Sequence, residues 1–373
     1  MSMSKEQCVT DRLQGMILGV GIGSCLGAPH RPSVRKGGIH IDKLTGVISH
    51  PITVGKNCHF NIGIGGDCIE MTIALIQSII QSDGYDYCND RYHKSIWIET
   101  NSPTVGDTTK RNIEKINNNM AIPTSKIEAL IKGVPLNEYS RASNGALLRA
   151  TPLASIADDK ERRLACIYEC CITHLNPIAV ICHIVFVEAV RMAICGYSKK
   201  YIIKRCSEII LQECKNFDTQ MISLMIGSSF VETNTNYSYT FLKKEIMYAF
   251  NSACKGKEYD MNNREFRCIQ SFYCAFLALA HSDSFQDGIE TIIRMGGDND
   301  TNASITGGLL GAYFGRKIME CDTKTLENIQ IVINAEADAN EELSEYVSRP
   351  PLYHLSEEKL IKMSKDLYVI GLL

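Results

Sequence analysis

The sequence predicts an all-α, single-domain protein, a bundle of many helices, on three observations. Apolar segments of helical length recur along the 373 residues, alternating strand-like runs hardly appear, and no repeat of about 20–50 residues is visible. The composition agrees. Hydrophobic residues make up 45% of the chain, charged residues 22%, and the formal net charge is -3, as in a soluble globular chain rather than a disordered one. A chain of this length buries a core without help from disulfides or metals. The near-balanced charge excludes an electrostatic footprint for nucleic acid, and a single Trp with 8% aromatics makes no base-stacking surface.

The elements follow in order. An opening helix carries Gly15, Gly19, Gly23 and Gly27, four apart and therefore on one face. Each glycine costs about 1 kcal/mol against alanine within a helix. Such a series predicts close approach of another backbone, or a helix whose end opens into a pocket. A dinucleotide fingerprint is excluded, because Gly21-Ile22-Gly23 is followed by Leu26 where a third glycine is needed. Buried or half-buried helices are expected over 71–80, 163–172, 178–195 and 272–280, with turn signals such as Asp83-Gly84 and Asn176-Pro177 between them. The stretch 239–242 is β-tolerant, and the polar region 232–264 reads as loops or a helical insert. The domain is expected to span 11–315. Beyond it, 316–373 reads as a helical extension packed on the same domain and interrupted at Pro350-Pro351.

Sixteen cysteines require a compartment. Glu6 and Asp11 precede the first apolar run and glycines break it, so no secretory signal is visible. The cysteines are expected to be reduced thiols packing as small hydrophobes, in a cytoplasmic protein. The run 16–28, taken as the longest apolar stretch, is too short and glycine-rich to span a bilayer, so no membrane partner is expected. Cys166, Cys170 and His174 recur every four residues, with Cys171, Cys182 and His183 nearby. Zinc ligation is one reading. A thiol-rich core helix is the preferred one, because no paired C-x-x-C knuckle occurs.

Two segments carry chemistry. Asp298, Asp300 and Thr301 follow Gly296-Gly297 and precede a small-residue helix, placing hard oxygen ligands beside a helix N-terminus. An EF-hand is excluded by Ala303 and Leu309 where glycine and glutamate are required. Helix capping is the plainer reading of the segment, although capping needs only one such residue. Ser143-Asn144-Gly145 precedes an apolar run, where backbone N–H groups cap a helix or cradle a phosphate or ribose.

Together these segments resemble the ADP-ribosylglycohydrolase family, in the family's order along the chain. GMILGVGIGSCLGAP is similar to its opening helix, SPTVGDTT at 102–109 to its G-x-T-T loop, and SNGALLRATPLA to its Asn-Gly-Ala segment. THLNP at 173–177 is similar to its threonine-histidine turn, and GGDNDTNASITGGLLGAYFG to its closing metal motif. The resemblance implies an all-helical fold around a magnesium site, and hydrolysis of the glycosidic bond to C1″ of ADP-ribose on a modified protein or other acceptor. It implies Asp67, Asp298, Asp300 and Thr301 as metal ligands, with Asp298 and Asp300 catalytic. Ser143, Asn144, Gly145 and His174 would bind substrate. ADP-ribose or an ADP-ribosylated protein is the implied partner, and a monomer the default state.

The first metal motif departs from the family pattern. Where the family has Thr-Asp-Asp-Thr, this chain has Gly66, Asp67, Cys68 and Ile69, keeping one acid. Ser24 stands where the opening helix carries an acid, and Arg31 where a glutamate is usual. The retained oxygens suffice for one hydrated magnesium, while a second ion loses its ligands. Two functions follow: a hydrolase, or a catalytically impaired ADP-ribose-binding module on the same fold. A thiol-based redox or zinc protein rests on cysteine abundance alone.

Overall fold

A computed structural model of the chain describes residues 3–30, 65–100, 102, 104–118, 122–132, 140–218, 237–261, 267–335 and 355–371. Among these residues there are fifteen α-helices and no strand. The first half holds α1 (Lys5–Gly27), α2 (Asp67–Gln81), α3 (Tyr87–Ile98), α4 (Asp107–Asn117), α5 (Thr124–Ile131), α6 (Asp159–Cys171) and α7 (Pro177–Ile194). There follow α8 (Lys199–Asn216), α9 (Tyr239–Cys254), α10 (Arg267–His281), α11 (Phe285–Met295) and α12 (Asn299–Phe314). The last three are α13 (Arg316–Met319), α14 (Thr323–Ile333) and α15 (Glu357–Gly371). Short 3-10 turns at Leu147–Arg149 and Thr151–Ser155 connect α5 to α6.

The glycine series of α1 makes the central contact. A Cβ on Gly15 would lie 2.3 Å from the Gly311 carbonyl oxygen, and one on Gly19 2.0 Å from that of Gly307. On Gly23 it would lie 2.1 Å from Ala303 O, and on Gly27 2.4 Å from Asn299 O. The partners descend as the glycines ascend, so α1 and α12 run antiparallel with their backbones in contact. The packing reading of the series holds, and its last member brings the C-terminal end of α1 against the start of α12 at Asn299 and Asp300.

The four expected helices are present as α2, α6, α7 and α10; α2, α6 and α10 start four or five residues earlier than their apolar runs, and α7 is shifted by one residue. Asp158 accepts from the backbone N–H groups of Lys160 and Glu161, both at 2.9 Å, and Asn176 accepts from Ile178 with Pro177 in the first turn of α7. The β-tolerant stretch 239–242 is instead the first turn of α9. Ser238 caps it by accepting from Phe241 N–H at 3.2 Å, and Leu242, Ile246, Ala249, Phe250 and Ala253 bury one helical face. Tertiary burial overrides a local preference there. Residues 232–236 and 262–264 of the polar region lie outside the described residues.

The run 16–28 is not the most membrane-like segment. Helix α7 is long and apolar enough to cross a bilayer by length and composition, yet 89% of it is buried inside the fold, where an all-round apolar helix belongs. Helix α15 packs on α1 and α2; Arg316 lies 2.7 Å from Glu357, and Gln14 donates to Ser364 at 3.2 Å. Pro350, Pro351 and the charged run 338–342 lie outside the described residues. Cys166, Cys170, Cys171 and Cys182 are buried core residues, and burial pushes each thiol up, so they remain neutral S–H groups.

Candidate functional site

The N-terminal ends of α2 and α12 meet beside the end of α1. Gly296 and Gly297, with φ of 84° and 82°, turn the chain into α12 in a conformation that glycine alone adopts without strain. Asp298 occupies the N-cap position of α12, but its side chain makes no capping bond. Its Oδ2 accepts instead from Asn144 Nδ2 at 3.0 Å, and the Arg267 guanidinium is 3.7 Å away. Capping is therefore not what this carboxylate does. Asn144 also donates to Ser271 Oγ at 3.1 Å, which donates to Asn302 Oδ1 at 2.6 Å.

Asp67 opens α2. Thr104 Oγ1 accepts from the Asp67 backbone N–H at 3.0 Å and donates to Asp67 Oδ1 at 2.8 Å. Thus one hydroxyl fixes both the backbone and the carboxylate. Gly66 N–H donates to Ser24 Oγ at 3.4 Å, so the serine standing in for a family acid supports this turn. Cys68 is fully buried and bonded to Ser304. Burial, then the charges of Asp67, Asp300 and Asp298, push its thiol well above the ordinary range. Cys68 therefore sits among all three carboxylates as a neutral group. Thr301 is buried in the first turn of α12.

These residues suit a hard, hydrated cation better than a soft one. The charges of Asp67, Asp298 and Asp300 all act on Cys68, so the nearby charged groups are hard carboxylates, and the one thiol among them stays protonated. Among the described residues, no group of three His, Cys, Asp or Glu side chains is placed to hold an ion by itself. A cation here would be held by few protein oxygens, with water completing its shell, as magnesium tolerates. Arg31 lies outside the described residues.

The second half of the site is the 143–145 loop. Ser143 is half-buried and Asn144 is 7% exposed. A Cβ on Gly145 would lie 2.4 Å from Thr109 Oγ1 and 3.1 Å from His174 Cε1, so only glycine fits between the 102–109 segment and the histidine. His174 is fully buried. Its Nε2 lies 2.6 Å from Ser143 Oγ and its Nδ1 2.7 Å from Thr173 Oγ1. Burial, then the nearby Arg149 charge, pushes its imidazole down to about 3, so it is neutral at pH 7. Both of its ring nitrogens are thus engaged by hydroxyl groups, Nε2 by Ser143 and Nδ1 by Thr173.

The structure thus brings Asp67, Asp298 and Asp300 together, ties Asp298 to Asn144, and stacks Gly145 and Ser143 on His174. Four contributors escape a reading of the sequence alone. Thr104 lies within the 102–109 segment, where a hydroxyl was a visible signal. Arg267, Arg149 and Glu169, the buried partner of Arg149, gave none, because an isolated charged residue in sequence reads as solvated surface.

Comparisons with known proteins bear on the family and the fold. The chain is 25% identical over 319 residues to "Putative ADP-ribosyl glycohydrolase L543" of Acanthamoeba polyphaga mimivirus, covering 81% of this chain and 87% of that one. A solved structure, "ADP-ribosylglycohydrolase-related protein complex", shares the fold with a TM-score of 0.59 at 18% identity, covering 97% of this chain and 99% of that one. The ADP-ribosylglycohydrolase family model matches residues 5–350. That family consists of hydrolases, generally metal-dependent, acting on ADP-ribosylated substrates. With a match over nearly its whole length and the family's motif segments meeting in one place, this chain belongs to the ADP-ribosylglycohydrolase family.

Proposed function

We propose that this protein hydrolyses the glycosidic bond between C1″ of ADP-ribose and a modified protein side chain, using one magnesium ion. The observation that carries this reading is the 3.0 Å hydrogen bond from Asn144 to Asp298, which ties a polar substrate loop to the acidic end of α12 across 154 residues. Asp67 and Asp300, with Asp298 and Thr301, are the residues that would hold the ion. When bound, magnesium supplies Lewis-acid polarisation and orientation of hydroxyl groups.

The chain's own residues do the rest. Ser143 and the backbone around Gly145 bind phosphate and ribose. Asp298 and Asp300 orient the attacking water, and one carboxylate of the group takes its proton as the C1″–acceptor bond breaks and the C1″–O bond forms. The carboxyl group that took the water proton returns it to the departing acceptor atom, which restores the carboxylate. Fixed carboxylate charge stabilises the oxocarbenium character at C1″.

A second reading is favoured by Cys68. A neutral thiol stands where the family carries an acid, so the same pocket with weakened charge would act as an ADP-ribose-binding module. Incubating the full chain with ADP-ribosylated protein and magnesium discriminates the two. A hydrolase releases free ADP-ribose, and Asp300→Asn abolishes the release. A module binds ADP-ribose by calorimetry and releases none.

A further inference from the structure

Behind Ser143 runs a row of buried polar groups that hydrolysis does not itself require. Asp90 and Lys94 of α3 pair with each other, Lys94 Nζ is 3.0 Å from Glu169 Oε1 in α6, and Arg149 pairs with that same oxygen. All four side chains are at most 2% exposed, and their two positive and two negative charges cancel. Burial alone would raise the Glu169 carboxyl, but the Arg149 and Lys94 charges outweigh it and hold the group ionised. From this anchor Arg149 donates through Nη1 to Gly145 O at 2.7 Å, and through Nη2 to Thr173 Oγ1 at 2.8 Å. Thr173 Oγ1 meets His174 Nδ1 at 2.7 Å, and His174 Nε2 meets Ser143 Oγ at 2.6 Å.

Counting protons along the row gives every bond a direction. A guanidinium only donates, so Thr173 Oγ1 accepts from Arg149. A hydroxyl can accept twice, but Thr173 is fully buried and, among the described residues, the acceptor its own proton reaches is His174 Nδ1, so that proton goes there. Nδ1 is then the acceptor of a neutral imidazole whose hydrogen sits on Nε2, and Nε2–H donates to Ser143 Oγ. The Ser143 proton is left directed out of the row.

We propose that Arg149, acting through Thr173, holds His174 as its Nε2–H tautomer and thereby presents the Ser143 hydroxyl as a donor to an anionic oxygen, a phosphate oxygen of ADP-ribose. The ligand in this inference rests on the proposed function. Arg149 and Thr173 are positioning residues; neither touches the substrate. The opposite tautomer would turn the Ser143 proton back onto His174 and present a lone pair to the phosphate, which repels it.

The test is 15N NMR of the histidine-labelled full chain, with the His174 signals assigned by their loss in His174→Gln. The expected result is a pyridine-type Nδ1 and a protonated Nε2. Thr173→Val should shift His174 toward the Nδ1–H form and weaken ADP-ribose binding about tenfold, a change of roughly 1.4 kcal/mol. Thr173→Ser should restore both. If Thr173→Val does not fold, Arg149→Lys keeps the charge, removes the N–H that reaches Thr173, and is read in the same way. A protonated Nδ1 in the natural chain overturns the assignment, as does a folded Thr173→Val with unchanged tautomer and affinity. A protonated Nε2 in a chain that binds no ADP-ribose overturns the proposed function and supports the tautomer relay.

Discussion

Gly27→Ala tests whether the α1–α12 contact positions the site as well as stabilising the fold. The new Cβ would lie 2.4 Å from Asn299 O and 2.7 Å from the Asp300 Cα, and neither atom belongs to a flexible side chain. Restoring an ordinary contact of 3.4 Å moves the start of α12 by about 1 Å. Overpacking of this kind costs about 1–3 kcal/mol, and alanine returns about 1 kcal/mol of helix propensity, leaving a net loss of roughly 1 kcal/mol. The Asn144–Asp298 bond of 3.0 Å does not survive such a shift. Displacement of about 1 Å in a catalytic group costs on the order of 100-fold in rate. Gly15→Ala is the control, because it makes the same kind of clash, 2.3 Å from Gly311 O, at the opposite end of the helix pair. Urea unfolding should show similar losses for the two variants, whereas calorimetry and ADP-ribose release should fail in Gly27→Ala alone. Equal ADP-ribose affinity in Gly27→Ala and the natural chain, or equal loss in both variants, would refute the reasoning.

Three further outcomes are expected. Magnesium at 100-fold excess over its Kd should stabilise the natural chain by about 2.7 kcal/mol in urea titrations, and Asp67→Asn or Asp300→Asn should remove that increment; an unchanged response in both would leave these carboxylates without a metal role. Burial pushes His174 down to about 3 and His183 to about 4, both below the unfolded value near 6.5, so the unfolded chain takes up protons first. Their contribution is complete above about pH 6.5 and is lost as the pH falls, by roughly 2 kcal/mol per histidine at pH 5; a urea midpoint equal at pH 7.5 and pH 5 would contradict it. Alkylation of the native protein should label Cys8, Cys88, Cys195 and Cys321, which are exposed, and reach the buried Cys166, Cys170, Cys171 and Cys182 only after unfolding without reductant, whereas disulfide-linked peptides would overturn the reduced-thiol, cytoplasmic reading.

The parts of the molecule legible in the sequence are those written in local pattern. Gly15, Gly19, Gly23 and Gly27 announce a backbone contact because four-residue spacing is a property of one helix, although their partners at Gly307 and Gly311 are not. The order of the 143–145, 173–177 and 298–301 segments identified the family, and the structure draws them together. Residues 239–242 are β-tolerant by residue type, yet they open the helix Tyr239–Cys254, which agrees with the helical-insert reading of the polar region, because Ser238 caps them and Leu242 is buried. The tie from Asn144 to Asp298 depends on side-chain geometry across the fold, which no local window contains. The buried group of Asp90, Lys94, Arg149 and Glu169 was equally hidden, since charges in sequence signal solvent until a neutralising partner is placed beside them.

The most direct test of the central claim is the single-turnover rate of ADP-ribose release from an ADP-ribosylated protein, measured for the natural chain and for Asp298→Asn with magnesium and then with a chelator. The account predicts release by the natural chain that stops on chelation, and a loss of at least about 100-fold in Asp298→Asn, or roughly 2.7 kcal/mol of transition-state stabilisation. Release that is absent from the natural chain under every condition, or that is unchanged in Asp298→Asn, would contradict it.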